Sequence, residues 1–269
     1  MSKRITRILF LGTLALTTLF SPVSVAGDTL QRVVDFKVLN VGMSGKQPPM
    51  NVVNKDGQLM GFDVDLARAL ATAMKVKLEI KIMPFGELED ALQNEKIDMI
   101  ISGMGITPER TERASFVGPY MLSGKSLLTK DSVLANAEDS AQFNRKDLKL
   151  VALENSTSSS FIRSVTPEST LIEVEDYKTG VAMVISGEVD GMVADMLACV
   201  LAVMQHPDAG LRTLSRPITI EPIGIAISKD DPQFLNLVEN YLNSYEKMGV
   251  LTKLRKKWLE DKSWIAELP

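Results

Sequence analysis

The residues able to do chemistry in this sequence cluster in short polar stretches that directly follow apolar runs. The apolar run 97–101 leads into Ser102-Gly103-Met104-Gly105 and then Ile106-Thr107-Pro108-Glu109-Arg110. Gly103 and Gly105 let a ligand approach the backbone closely, and the Arg110 guanidinium is a natural bidentate partner for a carboxylate. Arg110 can equally pair with Glu109 or Glu112 on a solvated helix. A second run, near Leu150, ends in Glu154-Asn155-Ser156-Thr157-Ser158-Ser159-Ser160. Hydroxyls and free N–H groups at a helix start form an anion site, although a plain cap needs only one of those hydroxyls. The run beginning at Val189 ends in Asp195, which is either a helix cap or the counter-charge for a ligand cation. Taken together, one cation with hydroxyl-rich turns and one anion are the complement of an α-amino acid. Cys199 lies inside the apolar stretch 196–204 and reads as a buried thiol. His206, the sole histidine, stands in a His-Pro-Asp loop. A metal site or histidine-based triad needs partners this sequence lacks, so neither a metal nor a cofactor is expected.

The elements that must position these groups declare their periods. Val76, Leu78, Ile80 and Ile82 alternate with Lys77, Glu79 and Lys81, which predicts a strand. Before it, Val64, Ala67, Leu70, Ala71 and Met74 share one helical face, with Asp63 expected to cap the start. The run 97–101 suits a strand buried on both sides. Phe234, Leu237, Val238, Tyr241, Leu242, Tyr245 and Met248 mark an amphipathic helix opened by Pro232. Strands alternating with helices at these lengths imply an α/β fold with largely parallel sheets, in which ligands bind beyond the carboxyl ends of the strands. Residues 94–104 and 186–196 echo each other as helix–turn–strand junctions. Two lobes of one design account for the echo, and so does the generic likeness of such junctions.

Composition and the N-terminus set the compartment. Lys3, Arg4 and Arg7, an apolar run over 8–20 and Ser24-Val25-Ala26 follow the secretory pattern, so residues 1–26 are expected to be a cleaved signal peptide. The apolar run is short for a membrane span, and no cysteine stands at the cleavage point for a lipid anchor. Cleavage removes three cations and no anions from a net charge of −4, leaving a more acidic chain. Such a surface argues against nucleic acid or an anionic membrane as partner. With one cysteine, an exported protein of this kind has no internal disulfide and relies on its core. Residues 131–144 read as a surface connection, which places lobe 1 at 27–122 and 219–269, and lobe 2 with the hinge crossings at 123–218.

Gly61-Phe62-Asp63-Val64-Asp65-Leu66-Ala67 resembles the signature of bacterial extracellular solute-binding proteins of the polar amino-acid type. The likeness continues through Ile97-Asp98-Met99-Ile100-Ile101, Gly105-Ile106-Thr107-Pro108-Glu109-Arg110, Phe116 with Pro119-Tyr120, Val189-Asp190 and Gly224-Ile225-Ala226. It implies the type II periplasmic-binding-protein fold: two α/β lobes joined by two hinge strands that close around a ligand. It further implies that Arg110, helped by Ser156 and Thr157, holds the α-carboxylate of an amino acid or related acid, that Asp195 holds the α-ammonium, and that Phe85 packs on the ligand side chain. The implied partner is an ABC-type permease served in the periplasm by a monomeric receptor. Three positions depart from the pattern. Gln47 stands where the family often has an aromatic, Ser44 where many members have an acid, and Gly105 where a Ser or Thr is common. The missing hydroxyl removes a partner of the ammonium, worth about 1–2 kcal/mol, and Glu154 is a candidate partner for a cationic side chain.

The principal expectation is therefore a binding protein rather than an enzyme. Some proteins of this likeness are periplasmic cyclohexadienyl dehydratases, in which a pocket acid protonates a leaving group. Glu221 is the candidate acid, although Pro222 after it suggests a structural turn. A sensor module would need a signalling segment after Pro269, and none is expected.

Overall fold

The structure, a computed structural model, describes residues 29–268. The expected signal peptide lies outside the described residues. The chain begins with α1 (Thr29–Phe36) and β1 (Val38–Met43), then a small antiparallel sheet of β2 (Lys46–Gln47), β3 (Asn51–Val53) and β4 (Leu59–Met60). There follow α2 (Phe62–Met74), β5 (Lys77–Ile82), α3 (Leu88–Gln93), β6 (Met99–Ile100), α4 (Pro108–Thr111) and β7 (Ser115–Ser123). The middle of the chain forms β8 (Lys125–Thr129), β9 (Lys149–Leu153), α5 (Thr157–Val165), β10 (Thr170–Val174), α6 (Tyr177–Ser186), β11 (Gly191–Asp195), α7 (Met196–Gln205) and β12 (Arg212–Thr213). It closes with β13 (Glu221–Ile227), α8 (Pro232–Lys247) and α9 (Val250–Arg255).

These strands make two five-stranded sheets of one design, ordered β5-β1-β6-β13-β7 and β10-β9-β11-β8-β12. In the first, β5, β1 and β6 are parallel, and β13 runs antiparallel to both β6 and β7. In the second, β10, β9 and β11 are parallel, and β8 runs antiparallel to β11 and β12. The sequence echo has a shared physical cause. Asp98 accepts the backbone N–H of Asn40 at 2.7 Å, and Asp190 accepts that of Lys149 at 2.8 Å. Each aspartate thus ties a strand start to its parallel neighbour. The turns before them use left-handed residues at matching places, Glu95 (φ 56°) and Gly187 (φ 78°).

Local periodicity explains most of the packing. Helix α2 buries Val64, Leu66, Ala67, Leu70 and Ala71 against the first sheet and ends at left-handed Lys75, whose N–H reaches the carbonyls of Ala71 and Thr72. Asp63 does not cap this helix. It lies inside the first turn, fully buried, and accepts from Tyr120 Oη and Asn51 Nδ2, each at 2.8 Å. At α8 the expected proline start holds, with Asp231 accepting the N–H of Phe234 at 2.8 Å. Residues 131–144 do more than connect, because Leu134 and Phe143 are buried in the core of the second sheet.

The chain leaves the first sheet at Gly124 and returns between β12 and β13. The crossings press together: a Cβ on Gly124 would lie 2.1 Å from the Thr219 carbonyl oxygen. Lys125 N–H donates to Thr219 Oγ1 at 2.8 Å, and Ile218 N–H donates to the Lys125 carbonyl at 2.8 Å. Any side chain at 124 forces these strands apart. Lys125 and Glu221, the first residues of β8 and β13, consequently start side by side between the lobes.

Candidate ligand-binding site

Arg110 is built by α4. Thr107 caps the helix and accepts the Arg110 N–H at 3.2 Å, and Pro108 opens the first turn. Arg110 is only 8 % exposed. Its Nε donates to Glu89 Oε1, one Nη to the Gly105 carbonyl and the other to the Asn155 carbonyl, all at 3.0 Å. The Phe85 ring lies 5.6 Å from its Cζ. Its ion-pair partner is thus Glu89 of α3 rather than Glu109 or Glu112, and its reach to Asn155 joins the two lobes. Phe85 is buried beside the arginine, where a cation–π contact helps hold the guanidinium flat.

The N-terminus of α5 faces this arginine. Ser156 is a plain cap: its Oγ accepts the Ser159 N–H at 3.2 Å and donates to the Leu153 carbonyl at 2.5 Å. The hydroxyl expected to help hold a carboxylate thus also caps the helix whose N-terminus faces Arg110. Thr157 Oγ1 instead donates to Glu221 Oε2 at 2.9 Å. The buried Ser158 Oγ has no hydrogen-bond partner among the described residues. Asn155 adopts φ 52°, which turns its carbonyl toward Arg110.

Asp195 makes no cap to α7. Antiparallel register places it opposite Lys125. Lys125 Nζ lies 2.9 Å from Asp195 Oδ1 and 2.9 Å from Glu221 Oε2, and Tyr177 Oη donates to Asp195 Oδ2 at 3.4 Å. Lys125 is 2 % exposed. Burial pushes its ammonium toward lower pKa, but the charges and hydrogen bonds of Asp195 and Glu221 outweigh that and hold it above the ordinary lysine value. Burial, reinforced by the Asp195 charge, raises the Tyr177 phenol well above its usual pKa. The carboxylate expected to meet a ligand ammonium thus already faces an ammonium of the chain. Glu221 and Pro222 likewise form no turn; they open β13 opposite Ser123 and Leu122.

Ser44 and Gln47 belong to a buried polar brace under the cleft. Ser44 Oγ lies 2.9 Å from Asn51 Oδ1 and 3.0 Å from Gln47 Oε1, which also accepts from Ser102 Oγ at 3.1 Å. Asn51 passes the network to Asp63, which also accepts the Gly103 N–H. Burial pushes the Asp63 carboxyl up to about 6, against the lowering effect of its hydrogen bonds from Tyr120, Asn51 and Gly103. Gly103, at φ 58°, turns the chain over this brace. At Gly105 an added Cβ would sit 3.4 Å from Thr157, 3.7 Å from Arg110 Nη1 and 3.7 Å from Glu221 Oε2. That glycine therefore lies where the anchoring groups converge.

Gln47, Met50, Gly103, Tyr177, Asp195 and Ile223 surround a cavity of about 20 Å³, the size of a water. A mostly apolar cavity of about 710 Å³ adjoins it through Pro48, Tyr177 and Ala198. Glu154 lines neither cavity. Cys199 is wholly buried, and its thiol is pushed up to about 12. Among the described residues no cluster of His, Cys, Asp and Glu could hold a metal, and no helix is long and apolar enough to cross a membrane. Sequence reasoning missed Glu89, Lys125, Asn155 and Tyr177. Only Lys125 carried a usable signal, a lysine at the head of the short strand Lys125–Thr129 that leads into Leu127 and Leu128.

Comparison with known proteins agrees with this architecture. The family described as bacterial extracellular solute-binding proteins, family 3, matches residues 39–261. The chain is 27% identical over 224 residues to ABC transporter arginine-binding protein 1 of Escherichia coli (strain K12), covering 82% of this chain and 90% of that one. It is 25% identical over 231 residues to the cyclohexadienyl dehydratase of Pseudomonas aeruginosa, covering 86% of each. Among solved structures, the ancestral amino acid-binding protein AncCDT-1, a precursor of cyclohexadienyl dehydratase, is 33% identical, with a TM-score of 0.78 over 86% of this chain and 99% of that one. The two sheets of matching design are those of the type II periplasmic-binding-protein fold, and the chain belongs to the bacterial extracellular solute-binding proteins, family 3.

Proposed function

We propose that this protein captures a small, amino-acid-sized carboxylate by closing its lobes, 27–122 with 219–269 against 123–218, and delivers it to an ABC permease in the periplasm. The observation that carries the reading is Arg110, a buried guanidinium of one lobe bonded to the Asn155 carbonyl beside the α5 N-terminus of the other. A carboxylate between them gains the remaining guanidinium N–H groups and the first amides of α5. The space of about 20 Å³ beside Asp195 holds no more than a water, so in this reading the ligand enters with the lobes parted about the 124 and 219 crossings. A thermal-shift panel of amino acids and small carboxylic acids tests the reading. A ligand at ~100 times its dissociation constant stabilises the protein by ~2.7 kcal/mol. Arg110→Ala should remove that shift while leaving a cooperative melt. Retained affinity in the variant would sink the carboxylate assignment.

The dehydratase relative supports a second reading, catalysis at the same cleft. Glu221, the candidate acid, receives Lys125 Nζ and Thr157 Oγ1 at 2.9 Å and Thr219 Oγ1 at 3.3 Å. A carboxylate surrounded by donors is arranged to accept, not to protonate a leaving group. That favours binding without chemistry, and release of carbon dioxide and water from a prephenate-like acid by the purified protein would overturn it.

A further inference from the structure

The apolar cavity of about 710 Å³ bears on which carboxylate this site takes, an inference that rests on the carboxylate-capture reading above. Its size is that of a ligand pocket rather than of a packing void. Val52, Val53 and Ile82 reach it from β3 and β5, and Val181, Ile185 and Leu201 from α6 and α7. Both lobes therefore present apolar side chains to one space. Ile82 is 53 % exposed, so part of this lining stands in water until something apolar covers it.

The partition between this cavity and the small one beside Asp195 is a seam. Pro48, Tyr177 and Ala198 border both spaces, and Pro48 comes from the lobe opposite to Tyr177 and Ala198. Parting the lobes draws that proline from its two neighbours and joins the two spaces. A carboxylate held at Arg110 and the α5 N-terminus, with its α-carbon near Gly103 and Asp195, then has one way to extend its side chain without displacing the core: between Pro48 and Tyr177, into the apolar cavity. Tyr177 marks the entrance from the second lobe, its Oη donating to Asp195 Oδ2 at 3.4 Å.

The charges along the cavity do not answer a polar side chain. Asp176 is the one carboxylate among the described residues that line it. That carboxylate meets Lys46 Nζ at 3.1 Å and accepts the N–H and Oγ1 of Thr179, each at 2.8 Å. Lys178 lines the cavity as well, so its cations outnumber its anion, and a lysine-like or arginine-like end finds no surplus counter-charge. Both Lys46 and Lys178 are exposed, where pairing with an acidic side chain is worth little.

We infer that this cavity is the side-chain subsite of the cleft, so that the ligand is a carboxylate carrying a large apolar side chain, aliphatic or aromatic.

The test is calorimetric titration of the purified protein with alanine, norvaline and norleucine, and with the pairs norleucine and lysine, and leucine and asparagine. Each methylene buried in the cavity should tighten binding about fourfold, or about fiftyfold from alanine to norleucine. The apolar member of each pair should bind at least about tenfold more tightly than the polar one. Ile82→Asp changes a half-exposed strand end and should cut the norleucine-to-alanine ratio about tenfold. Alanine binding as tightly as norleucine, lysine or asparagine matching its apolar partner, or an unchanged ratio in a variant that melts cooperatively, overturns the inference and leaves carboxylate capture standing. The wild-type series decides by itself if the variant does not fold. Failure of every one of these acids, with phenylalanine and phenylpyruvate added, to bind overturns the capture reading and the inference with it.

Discussion

Replacing Asp63 with asparagine should change the pH dependence of stability by an amount the structure specifies. The Asp63 carboxyl is held at about 6 in the fold, against 3.8 for an ordinary aspartate, chiefly because burial disfavours its charge. A shift of about two units costs about 3 kcal/mol once the group is ionised in both states. The sign follows from linkage. Between the two pKa values the folded chain holds a proton that the unfolded chain has lost, so stability rises as pH falls through 6. About 2 kcal/mol of the cost is recovered between pH 7 and pH 4.5. Asparagine does not titrate, so Asp63→Asn should lack that gain. The stability of wild type minus that of the variant should rise by about 2 kcal/mol from pH 7 to pH 4.5, whichever of the two is the more stable at neutral pH. Urea unfolding followed by fluorescence of the buried Trp258 and Trp264 reports on the core that packs around Phe62. A gap equal at both pH values, within about 0.5 kcal/mol, would refute the reasoning that Asp63 is ionised at a desolvation cost.

Three further expectations follow from local geometry. Cys199 is fully buried with its thiol near 12, so a disulfide reagent at pH 8 should react with it only after denaturant is added; rapid labelling of native protein would contradict the packing. Gly61 sits at φ 138°, and a Cβ there would lie 2.2 Å from the Met50 carbonyl oxygen, so Gly61→Ala should destabilise by about 3 kcal/mol or more in the same urea assay. Lys46 pairs with Asp176 across the lobes at 3.1 Å but is half exposed. Lys46→Ala should therefore weaken ligand affinity by no more than about fivefold, an effect that fades in high salt; a hundredfold loss would mean the pair is a principal latch.

Much of the fold was legible because its signals are local. The alternation at Val76, Leu78, Ile80 and Ile82 becomes edge strand β5, and the proline start of α8 stands where the periodicity begins. The echo between residues 94–104 and 186–196 is legible for the same reason: each copy ends a helix with one left-handed residue and ties the next strand with an aspartate. Asp63 shows where local reading breaks down. By position it is a helix cap, yet the long-range approach of Tyr120 and Asn51 makes it the centre of a buried network. Ser156 is the reverse case: its capping of α5 is local and was legible as one of two readings of the hydroxyl-rich run.

The sequence by itself determined the α/β alternation, the glycines of the 102–105 turn and an arginine one turn beyond them, because each depends on neighbours within a few residues. Only the tertiary structure decided what the charges of the cleft do. Lys125 and Asp195 are 70 residues apart and meet through the register of two antiparallel strands. Glu221 joins them because the two crossings between lobes are pressed together at Gly124 and Thr219. Register and crossing distance are set by the packing of whole sheets, so no spacing along the chain could announce that the expected partner of a ligand's ammonium already has one.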